Sequence, residues 1–135
     1  MSRTSMSPMA GALVDLTGLR VLVVEDILLV ADVIQDQLES CGCIVVGPVS
    51  RIESALQLLE AAPLDGALLD VNLAGEFCFP VAAALRQRGV PFIFLTGYDD
   101  PALIPTEFRA ALRLAKPFDR TKLTTAVAER FQRAA

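Results

Sequence analysis

The stretch Leu64-Asp65-Gly66-Ala67-Leu68-Leu69-Asp70-Val71-Asn72 (LDGALLDVN, 64–72) decides the fold. An aliphatic run follows the glycine, and a carboxylate closes it. A short, continuous apolar run reads as a strand buried on both faces of a parallel sheet. Asp70 then stands at the strand's carboxyl end, the sheet edge where open α/β proteins place their ligands. Three other stretches end in the same way. Residues 21–24 (VLVV) lead to Glu25 and Asp26, residues 91–95 (PFIFL) to Thr96, and residues 111–115 (ALRLA) to Lys116. Two acids, a third acid, a hydroxyl and a lysine, in that order, describe a phosphorylatable aspartate beside a metal site.

Outward from these runs the chain alternates strand and helix. Strands are predicted at 20–25, 43–49, 66–70, 91–95 and 111–115. The first helix, over 27–41, carries Leu28, Ala31, Ile34 and Leu38 at helical spacing, leaves Asp32, Asp36 and Glu39 to solvent, and stops at Gly42. Ser50 and Glu53 form a capping box for the second, which ends at Pro63. The third, over 79–87, holds Pro80 in its first turn and ends at Gly89. Pro101 and Pro105 make the fourth, ending near Arg109, the weakest. Asp119 caps the last, which turns Leu123, Val127 and Phe131 inward and runs to about residue 132. Short connections and right-handed crossovers arrange five such βα units as one parallel sheet of order 2-1-3-4-5, helices on both faces. Residues 1–18 read as a flexible arm whose Leu13, Val14 and Leu16 form a weak apolar patch able to dock; the domain proper is 19–135.

Composition narrows the function. A chain of 135 residues with 53% hydrophobic and 21% charged residues is one globular domain. A net charge of −4 argues against a nucleic-acid surface. No apolar run approaches the ~20 residues that span a bilayer, and no signal peptide is evident, so a cytoplasmic location is expected. The absence of histidine removes His-based general bases, catalytic dyads and His zinc sites. The three cysteines, Cys41, Cys43 and Cys78, lack CxxC spacing and read as small buried side chains.

Phosphoryl transfer to a carboxylate needs charge neutralisation and alignment. Asp70 is the candidate nucleophile. Asp26 and Asp70, helped by Glu25 and the backbone carbonyl of Asn72, offer oxygen ligands that suit Mg²⁺. The metal also relieves repulsion among the carboxylates. Lys116 is placed to pair with a phosphoryl oxygen, Thr96 to donate its hydroxyl, and Gly97 to let its loop approach.

The set VLVVED (21–26), LLDVN (68–72), FLTGY (94–98) and AKPF (115–118) closely resembles the receiver domains of bacterial two-component response regulators, over roughly residues 19–133. The likeness is to stand-alone, CheY-like receivers, and FLTGY is similar to an FxTGY-type motif of alphaproteobacterial ones. The resemblance implies a flavodoxin-like (βα)5 fold, with Asp70 as phosphoacceptor, Glu25 and Asp26 as the acidic pair, Thr96 as switch hydroxyl, Lys116 as the phosphate-pairing lysine and a cis bond before Pro117. It also implies Mg²⁺ as cofactor and, as partners, a sensor histidine kinase or histidine phosphotransfer protein and a downstream protein. The chain is expected to be a monomer or weak dimer. It ends just past the last helix, so output is expected through partner binding rather than a DNA-binding domain, and no turnover of an external substrate is expected.

Two positions depart from the receiver pattern. Arg113 stands where receivers usually carry an aromatic, which gives Tyr98 the expected switch role, and Ala74 stands where many have proline. Two rival readings use the same residues. A phosphatase similar to the haloacid-dehalogenase hydrolases also uses an aspartyl nucleophile and Mg²⁺, but leads with a DxD pair on its first strand, where this chain has Glu25-Asp26. A receiver acting only as a constitutive interaction module is the other; the presence of every site residue argues against it.

Overall fold

The structure, a computed structural model, describes residues 15–98 and 100–131. A five-stranded parallel sheet forms its centre: β1 (Arg20–Val24), β2 (Ile44–Val49), β3 (Gly66–Asp70), β6 (Phe92–Thr96) and β7 (Leu112–Ala115), in the order β2-β1-β3-β6-β7. A second, two-stranded sheet pairs β4 (Asn72–Leu73) with β5 (Glu76–Phe77). Setting that hairpin aside, the order is the expected 2-1-3-4-5.

Alternation along the strands sorts the core to two faces. Val21, Val23, Leu68, Ile93 and Leu95 meet α1 (Leu28–Glu39) and α4 (Arg120–Arg130) through Ile34, Leu38, Leu123, Val127 and Phe131. Leu22, Val24, Leu69 and Phe94 face the other way, onto α2 (Ile52–Ala61) and α3 (Phe79–Gln87) through Ala55, Leu59, Val81 and Leu85. Each fully buried aliphatic side chain contributes about 1.5–3 kcal/mol, so this two-sided burial fixes the strand ends on which the site is built. Gly66 is required by packing: a Cβ there would lie 2.3 Å from the Phe131 ring. All three cysteines are free and buried, as expected.

Several local expectations are corrected. Leu28 shares the stripe of Ala31, Ile34 and Leu38 but is 75% exposed. It sits in the first turn of α1, at the lip of the sheet, where it lines a cleft with Asp26, Pro48 and Ser50. The capping box of Ser50 and Glu53 does not form, because α2 begins at Ile52 and the extended Arg51 takes the cap position with no side-chain hydrogen bond. The loop after Asp70 is the β4–β5 hairpin, turned by Ala74 at φ 54° and Gly75 at φ 98°. In place of a helix after Thr96 there are two 3-10 turns, Asp100–Leu103 and Thr106–Phe108. Pro101 and Pro105 lack the N–H groups that a continuous α-helix needs.

Other expectations are matched. Asp119 caps α4, its Oδ1 accepting from the Lys122 N–H at 2.8 Å. The Lys116–Pro117 bond is cis; Gly47–Pro48 is a second cis bond with no counterpart in the sequence reading. Of the apolar patch ahead of β1, Leu16 is buried, and the Leu16 and Gly18 N–H groups donate to the Cys41 and Gly42 carbonyls. Leu13 and Val14, with the rest of residues 1–14, lie outside the described residues, as do Asp99 and residues 132–135.

Candidate functional site

Register brings the site together. Val24 pairs with Leu69, Asp70 with Leu95, and Thr96 with Ala115, so the carboxyl ends of β1, β3, β6 and β7 stand side by side. Glu25 and Asp26 leave β1, Asp70 closes β3, Thr96 closes β6, and Lys116 follows β7 directly. Backbone hydrogen bonds carry the alignment past the strand ends: the Glu25 N–H donates to the Val49 carbonyl at 2.9 Å and the Lys116 N–H to the Thr96 carbonyl at 2.8 Å.

The acids converge. One carboxylate oxygen from each of Glu25, Asp26 and Asp70 lies within 4.8 Å of the others. Glu25 and Asp70 are buried, at 2% and 4% exposure, and Asp26 is half-buried. Glu25 Oε2 accepts from the Ile27 N–H at 3.1 Å. Its Oε1 forms an ion pair with Lys116 Nζ at 2.7 Å. Lys116 Nζ is also 3.5 Å from Asp70 Oδ2. Buried carboxylate oxygens with lone pairs to spare, clustered this closely, fit a hard divalent cation with oxygen preference. Asn72 follows two residues after Asp70, and its side-chain Oδ1 accepts from the Gly75 N–H at 2.8 Å.

Electrostatics follow from burial and crowding. Burial first, then the neighbouring Glu25 carboxylate, pushes Asp70 up to about 8, with Lys116 working in the opposite direction. Burial disfavours the Lys116 ammonium, but Glu25 and Asp70 outweigh it and hold Lys116 above its ordinary value. Behind the site, burial and the Asp70 charge push the Cys78 thiol up to about 12, which keeps it an inert neighbour.

Thr96 is buried at the end of β6. Tyr98, two residues on, is 98% exposed and packs into nothing. Arg113, opposite Phe94 in the β6–β7 register, is exposed as well. The aromatic packing of this region lies elsewhere, on the α3 face. Phe79 stacks on Phe108 at 5.9 Å between ring centroids, Phe94 meets both edge-on, and the Arg86 guanidinium lies 4.5 Å from the Phe108 ring centre. Sequence reasoning missed this cluster, whose members are far apart in the chain. It also missed Asp100, whose Oδ2 accepts from the Gly97 N–H at 2.6 Å. The signal was present: an acid three residues after the residue whose N–H it accepts is the spacing of a capping box.

Comparison with known proteins agrees with this arrangement. The family described as "Response regulator receiver domain" matches residues 21–128. The sensory transduction protein LytT of Bacillus subtilis is 36% identical over 109 residues, which are 78% of this chain and 45% of that protein. The chain therefore spans about half the length of the curated relatives it matches. Among solved structures, SdrG from Sphingomonas melonis Fr1 superposes with a TM-score of 0.74 at 39% identity, covering 82% of this chain and 94% of that one. PhyR from Brucella abortus superposes with a TM-score of 0.75 at 26% identity, covering 90% and 51%. Fold, aligned strand ends and these matches together make the chain a member of the response regulator receiver family of two-component signalling.

Proposed function

We propose that this chain is a single-domain response regulator that takes a phosphoryl group onto Asp70 in the cytoplasm and signals by binding a partner protein. The observation that carries this reading is the buried Asp70 carboxylate, 3.5 Å from Lys116 Nζ and clustered with Glu25 and Asp26. The likeness to SdrG, at 39% identity, supports the receiver part of this reading.

The donor is a phosphohistidine of a sensor kinase or phosphotransfer protein. An Asp70 oxygen attacks phosphorus, the P–N bond breaks, and the electron pair leaves with the donor imidazole. Glu25, Asp26, Asp70 and the Asn72 carbonyl would hold Mg²⁺, which would supply charge neutralisation for the transferring group. Lys116 needs only to swing from Glu25 toward the new phosphoryl oxygens. Thr96 donates its hydroxyl to another of them, and Tyr98 reports the state of the loop to a partner. Charge-assisted hydrogen bonds contribute about 1.5–3 kcal/mol each. Two or three therefore approach the ~5.5 kcal/mol that moves a two-state element from one extreme to the other.

A BeF3-activated conformation has been determined for SdrG, and it superposes on this chain with a TM-score of 0.69. Beryllofluoride with Mg²⁺ is accordingly the probe of choice. It is expected to shift the amide resonances of Thr96, Gly97 and Lys116 in the wild type and to leave Asp70→Asn unchanged. Equal shifts in both proteins would remove Asp70 from the role.

A further inference from the structure

The segment between Thr96 and β7 is fastened unevenly. Its far end is held several times over. Ile104 and Phe108 are buried, Arg86 lies over the Phe108 ring and donates to the Glu107 carbonyl at 2.9 Å, and Arg109 Nε donates to the Ile104 carbonyl at 3.0 Å. Its near end is held differently. Residue 101 is proline and has no N–H to give, and the turn Asp100–Leu103 buries none of its residues. Among the described residues, the Asp100 carboxylate ties this turn to the end of β6, accepting from the Gly97 N–H at 2.6 Å. Gly97 leaves room for it, since a Cβ at that position would lie 3.2 Å from Asp100 Oδ2, a tight contact.

Gly97 directly follows Thr96, which extends one residue past the Asp70–Leu95 pairing. A phosphoryl group on Asp70 brings a further anion to the same loop. Two anions then compete for one N–H donor.

We propose that Asp100 is an electrostatic latch, a positioning residue that holds the Thr96–Gly97 turn and the first 3-10 turn in place until a phosphoryl group on Asp70 displaces its carboxylate from the Gly97 N–H. The inference rests on Asp70 being the phosphoacceptor. Release frees Asp100–Leu103, including the half-exposed Leu103, while Ile104 and Thr106–Phe108 stay anchored by Arg109, Arg86 and the phenylalanine cluster. The latch supplies a route to the output surface that does not need an aromatic at position 113.

Charge and shape separate in two variants. Asp100→Asn keeps an oxygen for the Gly97 N–H but carries no charge to be repelled. Asp100→Ala removes the acceptor. Amide exchange at Ala102 and Leu103 is followed by NMR with and without Mg²⁺ and beryllofluoride, and Gly97 and Lys116 shifts report occupancy of the site. Wild-type exchange is expected to rise about tenfold on activation, the loss of one charge-assisted hydrogen bond. Asp100→Ala should exchange fast in both states and Asp100→Asn slowly in both, while Phe108 stays protected throughout. Asp100→Asn responding like the wild type, or Asp100→Ala staying slow without the probe, overturns the latch. A wild type whose Gly97 and Lys116 do not shift overturns the phosphoacceptor reading itself, and the latch with it.

Discussion

Lys116 is held by Glu25 more closely than by Asp70: its Nζ lies 2.7 Å from Glu25 Oε1 and 3.5 Å from Asp70 Oδ2. The ammonium therefore neutralises an acid that a metal would also claim. Lysine and metal compete for the same negative charge in the resting site.

Removing the lysine should expose that competition. Lys116→Ala leaves buried Glu25 and Asp70 without their cation, and breaking a buried pair on one side costs about 3–5 kcal/mol at most. The variant is expected to melt lower than the wild type in EDTA and to bind Mg²⁺ several-fold more tightly, because no ammonium has to be displaced. A Mg²⁺ titration that finds weaker binding in the variant would contradict this account of the site.

Asp70 predicts a pH dependence of stability. Its proton affinity rises from the usual 3.8 to about 8 in the folded, metal-free chain. The folded state then binds more protons than the unfolded one between these values, so this group's contribution to stability falls as pH rises through the window and levels off above it. Asp70→Asn removes the penalty. In EDTA at pH 9 the variant should melt above the wild type, by roughly 3–5 °C for each kcal/mol relieved, and the gap should close toward pH 5. A gap of equal size at both pH values would place the effect outside Asp70 titration.

Ala74 occupies a left-handed conformation that glycine or asparagine adopts more readily. Ala74→Gly should stabilise the chain by about 0.5–1 kcal/mol through relief of that strain. Since the turn lies just past Asp70 and Asn72, the substitution also tests whether hairpin rigidity governs Mg²⁺ affinity. Chemical denaturation and the Mg²⁺ titration read the two effects separately.

Gly66 sets a limit at the other end of β3. A methyl group there meets the Phe131 ring at 2.3 Å, between two buried residues. Gly66→Ala should destabilise by about 1–3 kcal/mol through overpacking, and Gly66→Ala with Phe131→Leu should recover part of the loss. A single variant as stable as the wild type would show that α4 shifts freely on the sheet.

The parts of this molecule legible in the sequence are those fixed by one strong local signal. An apolar run closed by Asp70, Thr96 or Lys116 places that residue at the sheet edge whatever packs around it, and four such runs in parallel bring their ends together without further information. Ala31, Ile34 and Leu38 gave the buried stripe of α1 for the same reason. What escaped depends on balances between weak terms. Leu28 obeys the stripe but projects at the sheet's lip. The Ser50–Glu53 box lost because the helix began one residue later. The hairpin at Asn72–Phe77 turns on an alanine in a conformation that alanine seldom takes. Pro101 and Pro105 warned of a weak helix; that the result was two 3-10 turns pinned by Asp100 and Arg86 is a tertiary outcome.

Asp70 is proposed to accept a phosphoryl group with the help of a metal held by its neighbours. Intact mass after incubation with acetyl phosphate, with and without Mg²⁺, tests it most directly. A single phosphoryl adduct that requires Mg²⁺ and is absent from Asp70→Asn is the predicted result. An adduct that persists in Asp70→Asn, or that forms equally well in EDTA, would contradict the account.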